Sequence, residues 1–587
     1  MNITKKTRQL VRDDETHLFD LTRHFFNRFF DIELVSKDAE AHLGVVHIIA
    51  LLAVPAIVYT FFVSVAYGYV YTHFSWALYT GLCISDQSRY VLFSMVVIGI
   101  VAVVEWDRLF PDCQDYAILM PLPLKLRNIF CAKMAALLLF VGIFTLAVAG
   151  IPTLFYPVIE VSGLLHEGSS RHLLWLMAAH GIAVFSGCLF MALLFVAFQG
   201  VLINLLSSQY RKISACVQGL ATVFLVCQFF LLPMLPDLLP VWEKAQSWWL
   251  YVLPPMWFLG LYQTLLRTHN AIFLSLARIA ILAFVLSAII AGLTYRVSYK
   301  RFSQRAFEWG EEIGRSRFSI AALLSWLLDR LWVKEGPERG TFYFVLKTLA
   351  RSAKHRLYFA AYAAVGLAFA MMGILAVTAF SAQGNLRSVM MRPGVALLSI
   401  PLIISFFLLV GMRAAFGSPA ELRANWMFQI TAESNERKYL AGARKAMIAL
   451  AIAPLFLLTL VAYTVLWGPE ASLLSVLFST LLSLILMELL LGSFRKIPFT
   501  CSHLPGKGNL PLKGYLYWLA FMVYAYSMAS LETWMFRAPV EWAVAIVVEI
   551  IILSSIISHR NHSFANGAGV EFEDKPLPAV QTLDLNA

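Results

Sequence analysis

Three ionisable side chains stand inside long apolar runs of this 587-residue chain: His180, Glu488 and Glu549. Inside a hydrocarbon layer such groups are expensive, face a protein interior or a wet cavity, and mark substrate or proton paths. They are the candidate pathway residues. Each also has a structural explanation: His180 can hydrogen-bond within a helix bundle, and Glu488, near the end of its run, can reach toward the lipid headgroups. Glu549 is the deepest and the best placed for a pathway or a buried pair. The remaining carboxylates and histidines, among them Asp86, Glu160, His166, Glu167, Asp237, Glu243 and Glu532, are scattered over the intervening loops without recognisable spacing. The seven Cys form no C-x-x-C and no Cys/His cluster, so neither a disulfide framework nor a metal site is expected. No catalytic pair stands out, and the chain is not expected to be an enzyme. Its nearest approach to a nucleotide loop, LPGKGNL at 504–510, lacks the first glycine and the hydroxyl residue of that motif. No cofactor is expected on this chain, and ATP, if used, must be hydrolysed by a separate polypeptide.

The elements that carry these residues are membrane helices. The chain is 60% hydrophobic and 14% charged, with 44 Phe and 15 Trp, and apolar runs of about 20 residues recur throughout. The expected fold is an all-α polytopic membrane protein of about twelve spans, at 44–70, 89–105, 130–156, 172–200, 212–236, 271–295, 357–380, 393–412, 445–467, 471–494, 514–532 and 540–558. Lys and Arg alternate loop by loop. Segment 1–43 carries seven and 296–356 carries thirteen, whereas 71–88 has none and 237–270 only Lys244 and Arg267. By the positive-inside rule both termini are cytoplasmic. The net charge of +11 is thus a topology signal and gives no reason to expect nucleic acid.

The runs divide into two six-helix halves: 44–295 and 357–558, with an N-terminal amphipathic segment 1–43, a basic linker 296–356 and a polar tail 559–587 between and around them. Each half opens with an amphipathic stretch suited to the membrane interface. Leu18, Leu21, Phe25, Phe29 and Ile32 share one face in the first, and TFYFVLKTLARSAKHRL (341–357) serves the second, after FSIAALLSWLLDRLW (318–332) in the linker. Each half also enlarges the loop between its second and third spans into an elbow. In the first, Asp112 and Asp115 can start a short helix through Met120, which Pro121 and Pro123 end. In the second, Ser418, Pro419 and Glu421 form a helix-start signal within SPAELRANWMFQIT (418–431). Basic residues follow at the mouth of the next span: Lys125, Arg127 and Lys133, then Arg437, Lys438, Arg444 and Lys445. Such an elbow is either a turn with positive-inside anchors or a rigid handle.

DYAILMPLPLKLRNIFCAK (115–133) resembles the loop between spans 2 and 3 of bacterial type-2 ABC exporter permeases. The resemblance implies six spans per half, an interfacial helix before the first, and a coupling helix in this loop that docks a separate ABC ATPase subunit, in two copies. It further implies export across the bacterial cytoplasmic membrane. The coupling residues are then Asp115, Tyr116, Ile118, Leu119 and Pro121 in one elbow, and Glu421, Leu422, Trp426 and Phe428 in the other. The family also has an outer hairpin between spans 5 and 6. Here 237–270 is apolar and Trp-rich but broken at Pro254-Pro255, so it is expected to dip into the membrane and return. TWMFRAPV (533–540) is too short for a matching hairpin in the second half.

Two other readings remain open. An ion-coupled secondary transporter would share the six-plus-six layout, but EWDRLFPDC has Asp107-Arg108 without the flanking glycines of that group's signature. A membrane-embedded transferase would need carboxylates or His gathered at one membrane face. The scarcity of buried charge favours an apolar or amphipathic substrate.

Overall fold

The computed structural model describes residues 18–29, 53–66, 76–110, 126–162, 170–205, 210–234 (save 233), 248–305 (save 269), 332–380 (save 334–335), 393–420 (save 419), 428, 436–500 (save 493) and 510–565 (save 538). Among them there is helix and no strand, as a bilayer demands of a non-barrel chain, since each helix satisfies its own backbone polar groups. The protein is an all-α polytopic membrane protein. It forms two compact units, Met1–Ile313 and Gly314–Ala587.

The first unit contains α1 (18–29), α2 (Ala53–Ala66), α3 (Trp76–Val104), α4 (Leu126–Ser162), α5 (Ser170–Leu205), α6 (Tyr210–Leu231), α7 (Trp249–Val252), α8 (Pro254–Leu265) and α9 (Ala271–Arg305). The second contains α10 (Gly336–Arg351), α11 (Ala353–Phe380), α12 (Val395–Phe416), α13 (Glu436–Met447), α14 (Ala453–Trp467), α15 (Pro469–Gly492), α16 (Leu510–Met522), α17 (Met528–Met535) and α18 (Pro539–Ala565). A π turn, Ile448–Ile452, joins α13 to α14, and another, Val523–Ser527, joins α16 to α17. Among the described residues ten helical runs are long and apolar enough to cross a membrane: in α3, α4, α5, α6, α9, α11, α12, α13–α14, α15 and α18. Helix also occupies the first and eleventh expected spans, as the shorter α2 and the π-interrupted α16–α17.

Several helices outrun the expected spans, α9 to Arg305 and the α13–α14 run back to Glu436 among them, and two other extensions bear on polar groups. Residues 76–88, expected as loop, are the first turns of α3, and the last of them bury polar side chains that a loop would offer to water: Asp86, Gln87 and Ser88 are 5%, 1% and 1% exposed. Helix α18 likewise continues past 558 to Ala565, carrying Arg560 onto Glu488. In the first unit α5 is the central helix, packed by α3, α4, α8 and α9; in the second α12 packs α11, α15 and α17.

The interfacial helices behave as their periodicity requires. α1 buries Leu21, Phe25 and Phe29, spaced four residues apart, and exposes Phe19, Asp20 and Arg23. α10 buries Thr341, Phe342, Val345 and Leu349, and ends at Ser352 ahead of α11. The stretch 318–331 and the tail beyond 565 lie outside the described residues.

The helix before α9 is too short to cross the membrane by itself. α8 is 12 residues, about 18 Å of helix, well short of the roughly 30 Å a span needs. It starts at Pro254 after extended Leu253, where proline at a helix's first position costs no hydrogen bond. Its side chains pack on α9, α5 and α3. Gly260 permits this: a Cβ there would sit 2.5 Å from Leu276 Cβ and 2.8 Å from the Phe273 carbonyl. The arm preceding Trp248 lies outside the described residues.

Candidate functional site

The elbow of the second unit has a stiff root. The Ala420 amide donates to the Phe499 carbonyl at 2.9 Å, and the Phe499 amide to the Phe416 carbonyl at 3.0 Å. Phe499 holds a left-handed φ of 64° and is fully buried, with its ring edge-on to Phe416 and His355. His355, from the start of α11, uses one ring nitrogen on the Ser418 carbonyl at 3.0 Å and the other on Ser352 Oγ at 2.7 Å. Phe428 turns inward, packing its ring on Phe344 of α10 and Tyr439 of α13. Of the other coupling candidates, Asp115, Tyr116, Ile118, Leu119, Pro121, Glu421, Leu422 and Trp426 lie outside the described residues.

The basic residue at the mouth of the span after each elbow is tied to its unit's interfacial helix. In the first unit Lys133 Nζ sits 5.1 Å above the Phe25 ring, while Phe29 stacks on Phe140 at 4.9 Å. Arg108 reaches the Phe29 carbonyl at 3.3 Å and Glu105 at 3.2 Å. In the second unit Lys445 donates to Glu338 at 2.5 Å and to the Trp332 carbonyl at 2.8 Å. Gly442 lets α13 reach α10: a Cβ there would meet the Glu338 carbonyl and lie 3.1 Å from the Phe342 amide. Sequence reasoning placed these basic residues but not their partners, because an interfacial helix and the third span of its half are separated by two spans of chain.

The three pathway candidates have different surroundings. Glu488 accepts two hydrogen bonds from Arg560, both 2.5 Å, and Arg444 lies 3.3 Å away. It is the centre of a three-residue ion cluster joining α13, α15 and α18. His180 is fully buried among the rings of Tyr90, Tyr156 and Tyr262, at centroid distances of 5.6, 5.5 and 5.4 Å. Its Nδ1 meets the Tyr262 hydroxyl at 3.3 Å, and its Nε2 has no hydrogen-bond partner.

No protein family, curated protein or solved structure matches this chain. The geometry of the chain itself therefore carries the functional argument.

Glu549 faces inward from α18, on the same face as buried Trp542, and neither of its oxygens has a hydrogen-bond partner. Electrostatically it is within reach of Glu532 on α17. Glu532, counted with the loop carboxylates from sequence, is instead helical and 0% exposed. Ser475 lies alongside it, yet neither Glu532 oxygen has a partner of hydrogen-bond geometry. The facing surface of α15 is a row of buried hydroxyls, Ser472, Ser475, Ser479 and Ser483, at helical spacing. The Tyr524 hydroxyl, in the second π turn, bridges Ser483 at 2.8 Å and Ser405 at 2.9 Å.

A second polar assembly lies in the first unit, built from residues that looked scattered. Asp86 receives Arg89 at 2.6 Å and the Tyr59 hydroxyl at 2.5 Å. Gln263 of α8 donates to Gln87 of α3, and Gln87 donates to Glu160 of α4 at 3.0 Å. This chain of buried amides plugs the short helix α8 into the bundle. Beside α8 runs an apolar groove of 310 Å³ lined by Phe190, Leu194, Phe198, Trp257, Leu286 and Ile290.

Proposed function

We propose that this chain is the membrane-spanning subunit of a type-2 ABC exporter, in a bacterial cytoplasmic membrane, with both termini cytoplasmic and ATP hydrolysed by a separate ATPase subunit. One observation carries the reading. In both units the residue where force would enter the third or ninth span, Lys133 or Lys445, is bound to the interfacial helix that precedes the unit's first span. An elbow pushed by a partner would then move a helix lying on the membrane together with a helix crossing it. A mere turn needs no such brace. The pinned root at Phe416, Ser418 and Phe499 supports the same reading, since a lever must be stiff where it joins the body. Because Phe428 packs on its own unit, docking in that elbow falls to Leu422 and Trp426. The apolar groove beside α8 suits an apolar or amphipathic cargo.

The experiment is copurification of the full chain with ATP-hydrolysing activity from its native membrane. Tyr116→Ala and Trp426→Ala are each expected to lower the ATPase recovered while leaving the amount of inserted chain unchanged, since a buried aromatic anchor commonly contributes about 2 kcal/mol or more to a contact. Full ATPase recovery in both variants would sink the proposal.

An ion-coupled secondary transporter is the second reading. It is favoured by the partnerless carboxylates Glu532 and Glu549, for which an ATP-driven lever supplies no use.

A further inference from the structure

We propose that the seam between α15, α17 and α18 is a binding site for a small monovalent cation, a proton or a sodium ion, held between the carboxylates of Glu532 and Glu549. The inference does not rest on the ATPase reading. Both carboxylates are buried, at 0% and 5% exposure, and are within electrostatic reach of each other. Two such groups within each other's field cannot both stay ionised, desolvated and uncompensated. Among the described residues no basic group neutralises them. Arg444 and Arg560 are held by Glu488, Arg413 donates to the Leu490 carbonyl, and Arg537 is exposed. Tyr463 and Tyr524 stand beside the pair, but their hydroxyls are engaged by the Leu397 carbonyl and by Ser405 and Ser483. Besides Glu488, the other acids on these helices, Glu470 and Glu541, lie near the helix starts and would add only negative charge.

The side chains that α15 and the second π turn present toward the carboxylates carry oxygen. Ser475 flanks Glu532. Ser479 is 1% exposed and its hydroxyl has no partner. Glu549 and Tyr524 complete the set. Oxygen-only donors with carboxylate charge are what a hard cation takes, and a proton shared between the two acids satisfies the same electrostatic demand. The Phe478–Trp542 ring contact and the Glu488–Arg560 pair hold α15 against α18 along the seam. The π turn at Tyr524 adds an independent sign, since such widened turns occur frequently at functional sites.

The test is the thermal stability of the purified full chain in detergent, because a ligand that binds the folded state raises its melting temperature. NaCl is exchanged for choline chloride at constant ionic strength and pH 9, with KCl as a size control. Separately, the pH is lowered from 9 to 6 in choline alone. A saturable rise of a few degrees with sodium alone assigns Na+; a rise only as pH falls assigns the proton. In either case Glu532→Gln and Glu549→Gln are expected to abolish the response, since an amide carries no charge to neutralise. A wild-type chain that responds to neither ion, or variants that respond as the wild type does, would overturn the site. Should a variant fail to fold, the infrared spectrum of the wild-type carboxyl groups decides. The site requires a protonated-carboxyl band or a carboxylate band that moves between choline and sodium, and a spectrum insensitive to both rejects it.

Discussion

Glu488 and Glu549 look alike in the sequence, each a lone acid in an apolar helix, and the structure gives them opposite surroundings. Glu488 is clasped by Arg560 and Arg444, while Glu549 has no basic partner among the described residues and lies within electrostatic reach of Glu532. Removing one partner of a buried ion cluster leaves the others uncompensated, at a cost of about 3 kcal/mol or more when fully buried. The Glu488 side chain is 7% exposed and Arg560 23%, so the cost should be unequal. Glu488→Ala, which strands two arginines, is expected to lower the melting temperature more than Arg560→Ala, which leaves Glu488 paired with Arg444. Equal losses would mean that Arg444 does not take part. At His180 the expectation is different. Its ring is packed by three tyrosines and its only hydrogen bond is a long one to Tyr262, so His180→Phe keeps the packing and should cost only about 1 kcal/mol of stability. A variant of normal stability that abolishes transport would instead give the imidazole a functional role. The depth of Glu549 was legible from the length of its apolar run. Glu532 was not, because it falls at the edge of a run, where hydropathy cannot separate a loop from a buried helical end. The Gln263–Gln87–Glu160 chain was invisible for another reason: its members come from three separated helices, and no local spacing encodes their meeting.

At the scale of the element, what sequence revealed best was punctuation. Pro254 begins α8, and the four-residue spacing of Leu21, Phe25 and Phe29 gave the buried face of α1. Close approach was not legible, since a glycine in a helix says nothing of what passes over it. Gly442 and Gly260 mark two such approaches, each with a neighbouring backbone carbonyl inside the space of a methyl group. Gly442→Ala should therefore push α13 off α10, with an overpacking cost of about 1–3 kcal/mol. It should also loosen the Lys445–Glu338 contact. The check is a melting curve with Lys445→Met as a companion. If the glycine acts by holding that brace, the double variant should lose less than the sum of the two single losses, since one brace cannot be removed twice. Full additivity would make the two contacts independent. Gly260→Ala tests the hairpin in the same way: α8 would lift from α9, and protease cleavage between Trp248 and Leu265 should accelerate.

On the scale of the whole molecule, the repeated brace is what joins the two units conceptually, although their sequences share an order of features more than residues. Lys133 meets an aromatic ring and Lys445 an acid and a carbonyl, so the two braces share only a cation at that place. If each brace serves one elbow, and each elbow one ATPase, the stoichiometry follows from the chain itself. A complex purified with ATPase in excess should contain two ATPase subunits per chain, whether one chain or several assemble. Trp426→Ala should reduce the ratio to one, Tyr116→Ala should do the same, and the double variant should bring it to zero. Light scattering on the purified complex reads this directly, because the mass of this chain, 65.9 kDa, is fixed. A ratio of one in the unaltered complex would leave one elbow without a partner. The variant that then retained the ATPase would identify the idle elbow, and the matching braces would have to be explained by membrane anchoring alone. A ratio of two that survived both substitutions would place the docking surface elsewhere on the same membrane face.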